Sequence, residues 1–196
     1  MKNKIFKNNK IKIIAGILKS QVIKIQQNCL LKPTKNIVKE TLFNWISNNI
    51  KNSKCLDCFA GSGSLGIEAI SRSARFVTFI ESNVNIVKKL IANLIRLNIY
   101  YKAKVIQTNI LEWIQKKGHP YDIIFIDPPF NQKIVNIIIN YLDKNNWTHN
   151  YSLIYIEQLK NKKKLRAPLN WFVYKQKTSG NVLYYLILKD VNKNLK

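Results

Sequence analysis

The sequence predicts an α/β protein built on a doubly wound, mostly parallel sheet, and three observations carry that prediction. From Lys54 onward, short β-prone runs alternate with amphipathic helical stretches, which is the pattern of successive βαβ units. The run Ile123-Ile124-Phe125-Ile126 is apolar without interruption, as a strand covered on both faces must be. A glycine loop, Gly61-Ser62-Gly63-Ser64-Leu65-Gly66, follows one of the first runs and opens a helix. With 196 residues, 46% of them apolar, the chain has the size of one domain and enough apolar surface for a real core.

In order, residues 1–10 read as a basic tail. Ile11–Ile14 and Gln21–Ile25 read as a small hairpin around a turn near Ala15-Gly16. Thr34, after Pro33, is placed to cap a helix whose Val38, Leu42, Trp45 and Ile46 share a face, with Phe43 and Trp45 as core residues. The alternation then begins. Cys55–Phe59 is a strand, followed by the glycine loop and a helix carrying Ile67, Ile70 and Ala74. Phe76–Glu81 is a strand, and Ser82 can cap a helix carrying Val87, Leu90, Ile91 and Leu94. Lys104–Thr108 is a strand with a short helix near Leu111–Ile114 after it. The next strand is Asp122–Ile126, and its following helix places Ile134, Ile137, Ile138, Tyr141 and Leu142 on one side. Leu153–Glu157 is a strand, and Trp171–Gln176 with Val182–Leu188 forms a terminal hairpin about Ser179-Gly180-Asn181.

The formal net charge of +23 points to a polyanion such as nucleic acid. Lysine outnumbers arginine 29 to 4, so drift in base composition accounts for part of it. The distribution says more: residues 1–54 hold twelve lysines and one acid. The lysines at 19, 24, 32, 35 and 39 are either a solvated face or RNA contacts. The pair Cys55 and Cys58 has metal-ligand spacing, but an odd offset in a strand sends the two thiols to opposite faces. With His119 and His149 isolated, the thiols read as buried structural groups and no metal is expected. No apolar run reaches the ~20 residues that span a bilayer. The start lacks the apolar core of an export signal, so a cytoplasmic protein is expected.

The chemistry concentrates at strand ends. The strand ending at Ile126 runs into Asp127-Pro128-Pro129-Phe130, where each proline fixes its own φ and restricts the residue before it. The bland reading is a rigid, acid-capped strand exit. The sharper one is a site for an exocyclic amine, whose two N–H groups the Asp127 carboxylate and the Pro128 carbonyl can accept while Phe130 stacks on the ring. The glycines Gly61 and Gly63 let a ligand approach the backbone at the positive end of a helix. Glu81 ends its strand twenty residues after Gly61, where a carboxylate can hold a ribose diol. Asn109 follows the next strand, and its amide can read an adenine edge or simply serve the turn.

Asp57-x-Phe59-Ala60-Gly61-Ser62-Gly63, an acid ending the second strand and Asp-Pro-Pro-Phe after the fourth together resemble an amino-methylating class I S-adenosylmethionine-dependent methyltransferase. Lys32-Pro33-Thr34 and Val38-Lys39-Glu40-Thr41-Leu42-Phe43-Asn44-Trp45 narrow the resemblance to the bacterial 16S rRNA guanine-N(2) methyltransferase of the RsmD type. The similarity runs from about Ile11 through the terminal hairpin.

The resemblance implies a Rossmann-like fold with a seven-stranded sheet, its last strand reversed. It also implies a division into an RNA-gripping extension over residues 1–53 and a catalytic domain over 54–196. The implied reaction is methyl transfer from S-adenosyl-L-methionine to the 2-amino group of a guanine in 16S rRNA, within the small ribosomal subunit, by a monomer. Asp57, Phe59, Gly61 and Gly63 would frame the cofactor, with Glu81 on its ribose and Asn109 at its adenine end. Asp127, Pro128, Pro129 and Phe130 would take the target base, and Lys19, Lys32, Thr34 and Lys39 would contact RNA.

The chain departs from the family's pattern in its hairpin, Ile13-Ile14-Ala15-Gly16-Ile17-Leu18-Lys19-Ser20, which lacks the usual arginines. An arginine is also replaced by Lys32 and another by Ile37, and lysine does not reproduce bidentate phosphate contacts. Competing readings are an adenine-N(6) DNA methyltransferase, for which no target-reading insertion is present, and a nicotinamide-dependent oxidoreductase, which leaves Asp127–Phe130 without a task. A third is a catalytically silent RNA-binding module.

Overall fold

The computed structural model describes residues 10–25, 36–129, 133–160 and 165–190. Their strands are β1 (Lys10–Lys12), β2 (Val22–Lys24), β3 (Lys54–Asp57), β4 (Phe76–Glu81), β5 (Ala103–Gln107), β6 (Tyr121–Ile126), β7 (Thr148–Leu159), β8 (Trp171–Ser179) and β9 (Val182–Lys189). The helices are α1 (Asn36–Trp45), α2 (Ser64–Ser71), α3 (Val84–Arg96), α4 (Ile110–Ile114) and α5 (Lys133–Lys144). Phe130, Lys32 and Thr34 lie outside the described residues, and so does the proposed cap of α1.

The main sheet has the order β5-β4-β3-β6-β7-β9-β8. Strands β3 to β7 are parallel, and β9 runs against both β7 and β8. The chain steps outward from β3 to β4 and β5, then returns to lay β6 on the other side of β3. That reversal creates a switch point between the carboxyl ends of β3 and β6, where an open α/β sheet binds its ligands.

Two apolar layers cover the sheet. One contains residues of α1, α2, α3 and the hairpin against Cys55, Phe79, Phe125 and Tyr155. The other packs α4 and α5 against Leu56, Cys58, Ile124 and Ile156. Ile123, Ile124, Phe125 and Ile126 are all fully buried, each worth about 1.5–3 kcal/mol of burial. Cys55 and Cys58 fall in opposite layers, and burial pushes Cys55 up to about 12 and Cys58 well up, so neither thiol is primed to react. Among the described residues, no helix is long and apolar enough to cross a membrane, and no group of three or more His, Cys, Asp and Glu is placed to hold a metal ion.

Three local expectations need correction. Asn83, not Ser82, caps α3: its side-chain oxygen accepts the N–H groups of Asn85 at 2.9 Å and Ile86 at 3.3 Å. Glu81 takes the Asn83 N–H at 2.8 Å, which spends Ser82 on the turn. The buried face of α5 is Val135, Ile138, Ile139 and Leu142, with Ile137 exposed. This helix carries two overlapping i, i+3, i+4 stripes, and packing against the sheet chose the other one.

The third correction is Lys39. It does not face RNA but is fully buried, with its ammonium 3.2 Å from Glu68, itself fully buried. The same ammonium lies 3.3 Å from the Lys12 carbonyl and 3.4 Å from the Ser64 hydroxyl. Glu68 also accepts the backbone N–H groups of Ile14 at 2.9 Å and Ala15 at 3.0 Å, and the Arg72 Nε–H at 3.0 Å. The hairpin loop is thus seated on α2. Gly16, at φ +84°, lies so close that a Cβ would stand 1.9 Å from the Ser71 carbonyl oxygen. Asn93 of α3 holds the β2 side, accepting the Lys24 N–H at 3.0 Å and donating to the Lys24 carbonyl at 2.8 Å. Lys19 and Lys24 keep their side of the hairpin exposed.

Candidate active site

β3 delivers Asp57 to the switch point almost fully buried, at 3% exposed. Its Oδ2 accepts the Gly66 N–H at 3.2 Å, which ties the strand end to the first turn of α2. Burial raises its carboxyl to about 7; the Gly66 and Phe59 N–H groups oppose that rise, while the Asp127 and Glu81 charges add to it. The loop then turns on Gly61 at φ +51° and on Gly63 at φ +78°, the residue that caps α2. These are left-handed positions that side chains disfavour. Gly66 serves the packing: a Cβ there would stand 2.2 Å from the Phe79 ring. Phe59 is half-buried against the α4–α5 layer.

Glu81 ends β4 and reaches across to this loop. Its Oε2 accepts the Gly61 N–H at 3.0 Å, so loop and strand end are one unit. The Thr108 N–H donates to the Glu81 carbonyl at 3.1 Å, bringing the end of β5 alongside. Asn109, next in sequence, is exposed and caps α4, its Oδ1 accepting the Leu111 N–H at 2.9 Å. The turn role of Asn109 is therefore filled by its oxygen, which leaves its amide N–H groups to address a ligand.

β6 carries Asp127 and Pro128, both half-buried, and the exposed Pro129 to the same rim. The Asp127 charge is felt by Asp57 on one neighbouring strand and by Tyr155 on the other. Asp57, Gly61, Gly63, Glu81, Asn109, Asp127, Pro128 and Pro129 thus share one end of one sheet. Lys39 is not with them at the surface, Lys24 sits on the separate hairpin sheet and Lys19 in the loop between its strands.

Sequence reasoning missed one group. Glu157 near the end of β7 is 9% exposed, and the Tyr155 hydroxyl donates to its Oε1 at 2.7 Å. Its signal was available, since it is the acid ending the run Leu153–Glu157 after Leu, Ile, Tyr and Ile, but a terminal acid also reads as an ordinary strand exit.

Comparisons with known proteins bear on the family and the fold. The family described as Conserved hypothetical protein 95 matches residues 11–188. The chain is 48% identical over 190 residues to "Ribosomal RNA small subunit methyltransferase D" of Buchnera aphidicola subsp. Acyrthosiphon pisum, covering 96% of this chain and 98% of that protein. It is 37% identical to the protein of the same name from Escherichia coli strain K12, covering 93% and 92%. The solved structure described as "Putative methyltransferase yhhF from Escherichia coli" superposes with a TM-score of 0.84 at 36% identity, over 93% of this chain and 99% of that one. An RNA methyltransferase from Salinibacter ruber, solved with S-adenosyl-L-homocysteine, shares the fold at a TM-score of 0.64 and 12% identity, over 81% and 94%. The chain belongs to the RsmD-type family of ribosomal RNA small subunit methyltransferases.

Proposed function

We propose that this protein transfers a methyl group from S-adenosylmethionine to the 2-amino group of a guanine in 16S rRNA of the small ribosomal subunit. The observation that carries the reading is the pairing, across the switch point, of the Asp57–Gly63–Glu81 cradle with the Asp127-Pro128-Pro129 turn. The rim is acidic in a chain of net charge +23. Glu81 suits the ribose diol of either cofactor class, but Asp57 and Asp127 would repel the pyrophosphate of a dinucleotide and suit a ligand bearing an ammonium and a sulfonium. The names of the relatives supply the rRNA substrate.

When bound, S-adenosylmethionine supplies a methyl already activated on a sulfonium. The chain's own residues then do the positioning. Asp57 and the Gly61–Gly63 backbone fix the amino-acid end, Glu81 accepts the ribose hydroxyls, and the Asn109 amide donates to the adenine. Asp127 and the Pro128 carbonyl accept the two N–H groups of the target amine, which draws its lone pair out of conjugation and aims it. No strong base is needed, because the product amine can lose its proton late. The decisive test offers labelled S-adenosylmethionine with unmodified small subunits, naked rRNA and DNA, followed by nucleoside analysis. Label on N2-methylguanosine from the rRNA is expected; label on adenine, or on DNA alone, would overturn the reading.

Two predictions follow from the cradle. Glu81→Ala should weaken S-adenosylmethionine binding by about 10- to 100-fold, the worth of hydrogen bonds to a charged group, read by calorimetry. Unchanged affinity would remove Glu81 from the ribose. The Asp57 carboxyl, near pH 7 before the ligand binds, should be pulled down by the bound cationic amine. Its folded-state value is raised, so it is protonated in the free protein as pH falls below about 7. Binding should therefore tighten from pH 5.5 to 7 and release a proton, seen as a binding enthalpy that depends on the buffer. Asp57→Asn should abolish that buffer dependence.

The sequence offers RNA two basic segments. Besides the N-terminal lysines, residues 160–189 hold eight lysines and arginines and no acid. Of these, Lys177 is exposed and Lys175 half-exposed on the edge strand β8.

A further inference from the structure

We propose that Glu157 selects guanine, by accepting the N1–H of the target base while Asp127 and the Pro128 carbonyl hold its 2-amino group. This rests on the guanine reading above and adds the residue that distinguishes guanine from other purines carrying the same amine.

The placement follows from strand register. β6 and β7 are parallel and paired up to Ile126 opposite Ile156, so Asp127, leaving β6, stands about 4.8 Å, one strand spacing, from Glu157, which β7 still holds in the sheet opposite Tyr184 of β9. Phe125 and Tyr155, two residues earlier on each strand, lie in the same apolar layer, and a two-residue step along a strand returns to the same face. The Tyr155 phenol reports both acids. Burial pushes it well up, the charge and hydrogen bond of Glu157 push it further, and the Asp127 charge does so as well. Tyr155 is fully buried and donates to Glu157 at 2.7 Å, so the Glu157 carboxylate is held in one orientation.

The chemistry then picks the base. Guanine presents three donors in a row on its Watson–Crick edge: N1–H and the two N–H bonds of the 2-amino group. The rim offers acceptors to match, in Glu157, Asp127 and the Pro128 carbonyl. A carboxylate has about four lone-pair sites, so Glu157 can accept a base N–H beside the bonds it already makes, that of the Tyr155 hydroxyl among them. A purine with a bare N1 would instead set its lone pair against the Glu157 carboxylate, a repulsive and unsatisfied contact. Phosphate contacts on basic surfaces cannot make that distinction, since they carry no base identity.

The test removes the N1–H by exchanging the 6-oxo group of the base for a 6-amino group. Small subunits are assembled on rRNA carrying either guanine or 2,6-diaminopurine at the nucleotide the wild-type protein labels; the latter keeps the 2-amino group but has no N1–H. Wild type should favour guanine by about 100-fold or more in single-turnover methylation. Glu157→Gln can donate to a bare N1, and should bring the ratio within about 3-fold of unity or invert it. Tyr155→Phe keeps the ring packing, and by releasing the carboxylate should cut the preference by about 10-fold. Glu157→Gln slowing both bases equally, with the ratio kept, would reduce Glu157 to a structural role and overturn the proposal, as would a wild-type ratio near one. A wild type that places no label on guanine would overturn the guanine reading and this proposal together, whereas an unchanged ratio on a methylated guanine defeats only the role of Glu157.

Discussion

Asp127→Ala is expected to lower single-turnover methyl transfer by about 1000-fold or more, while changing S-adenosylmethionine affinity by no more than about 3-fold. The two measurements separate because Asp127 stands one strand away from the cradle. The groups proposed to face the cofactor, Asp57, Gly61 and Glu81, belong to β3, the loop after it and β4, whereas Asp127 follows β6. On the proposed guanine reaction the loss is large, because an exocyclic guanine amine is a poor nucleophile with its lone pair spread into the ring. An acceptor fixed on a proline-stiffened turn is needed to localise it. Asp127→Asn keeps one acceptor oxygen without the charge and should lose only about 10- to 100-fold, since charge-assisted bonds are roughly twice as strong as neutral ones. Removing the Asp127 charge also eases the Asp57 carboxyl downward, so any small change in cofactor affinity should be a gain near pH 6. Normal turnover by Asp127→Ala would remove this residue from the mechanism.

The parts of the fold legible in the sequence are those fixed by short-range pattern. Phe76–Glu81 was readable end to end because an apolar run between a basic turn and a polar helix start has one reading. The rim residues were readable because doubly wound topology sends every parallel strand end to the same side, so Asp57, Glu81 and Asp127 had to converge once the alternation was recognised. What local pattern could not supply was the choice between equivalent faces. On α5 two stripes compete, and only the sheet beneath decides between them. Lys39 is the sharper case. A lysine in a basic segment reads as exposed, and its burial depends on Glu68, twenty-nine residues further along and itself inside an apolar helix. Glu68 was the missed clue, because an acid on a helix that buries every residue has to be paired.

That pair gives the second large effect, on stability. Glu68→Ala should destabilise the fold by about 3–5 kcal/mol, because it leaves the Lys39 ammonium buried without its counter-charge. It also strands the N–H groups of Ile14 and Ala15, which close the hairpin loop onto α2. Arg72 loses less, since it is partly exposed and also lies over the Phe43 ring at 4.9 Å. For a domain of this size the expected loss lowers the melting temperature by roughly 6–20 °C, and urea unfolding should show the same change. Replacing both partners with apolar side chains, as in Lys39→Met with Glu68→Leu, should recover much of the stability, since a buried pair is costly to break but cheap to exchange whole. The double variant should not recover the hairpin, whose N–H groups still lack their carboxylate. Restored melting with weakened small-subunit binding is therefore the expected combination. It would mean that the Lys39–Glu68 pair is kept less for stability than for holding the basic hairpin and α2, through Lys12 and Ser64, in one fixed relation. A double variant that regains both properties would show the pair to be an exchangeable core contact. A Glu68→Ala protein as stable as wild type would show that water reaches Lys39 despite its burial.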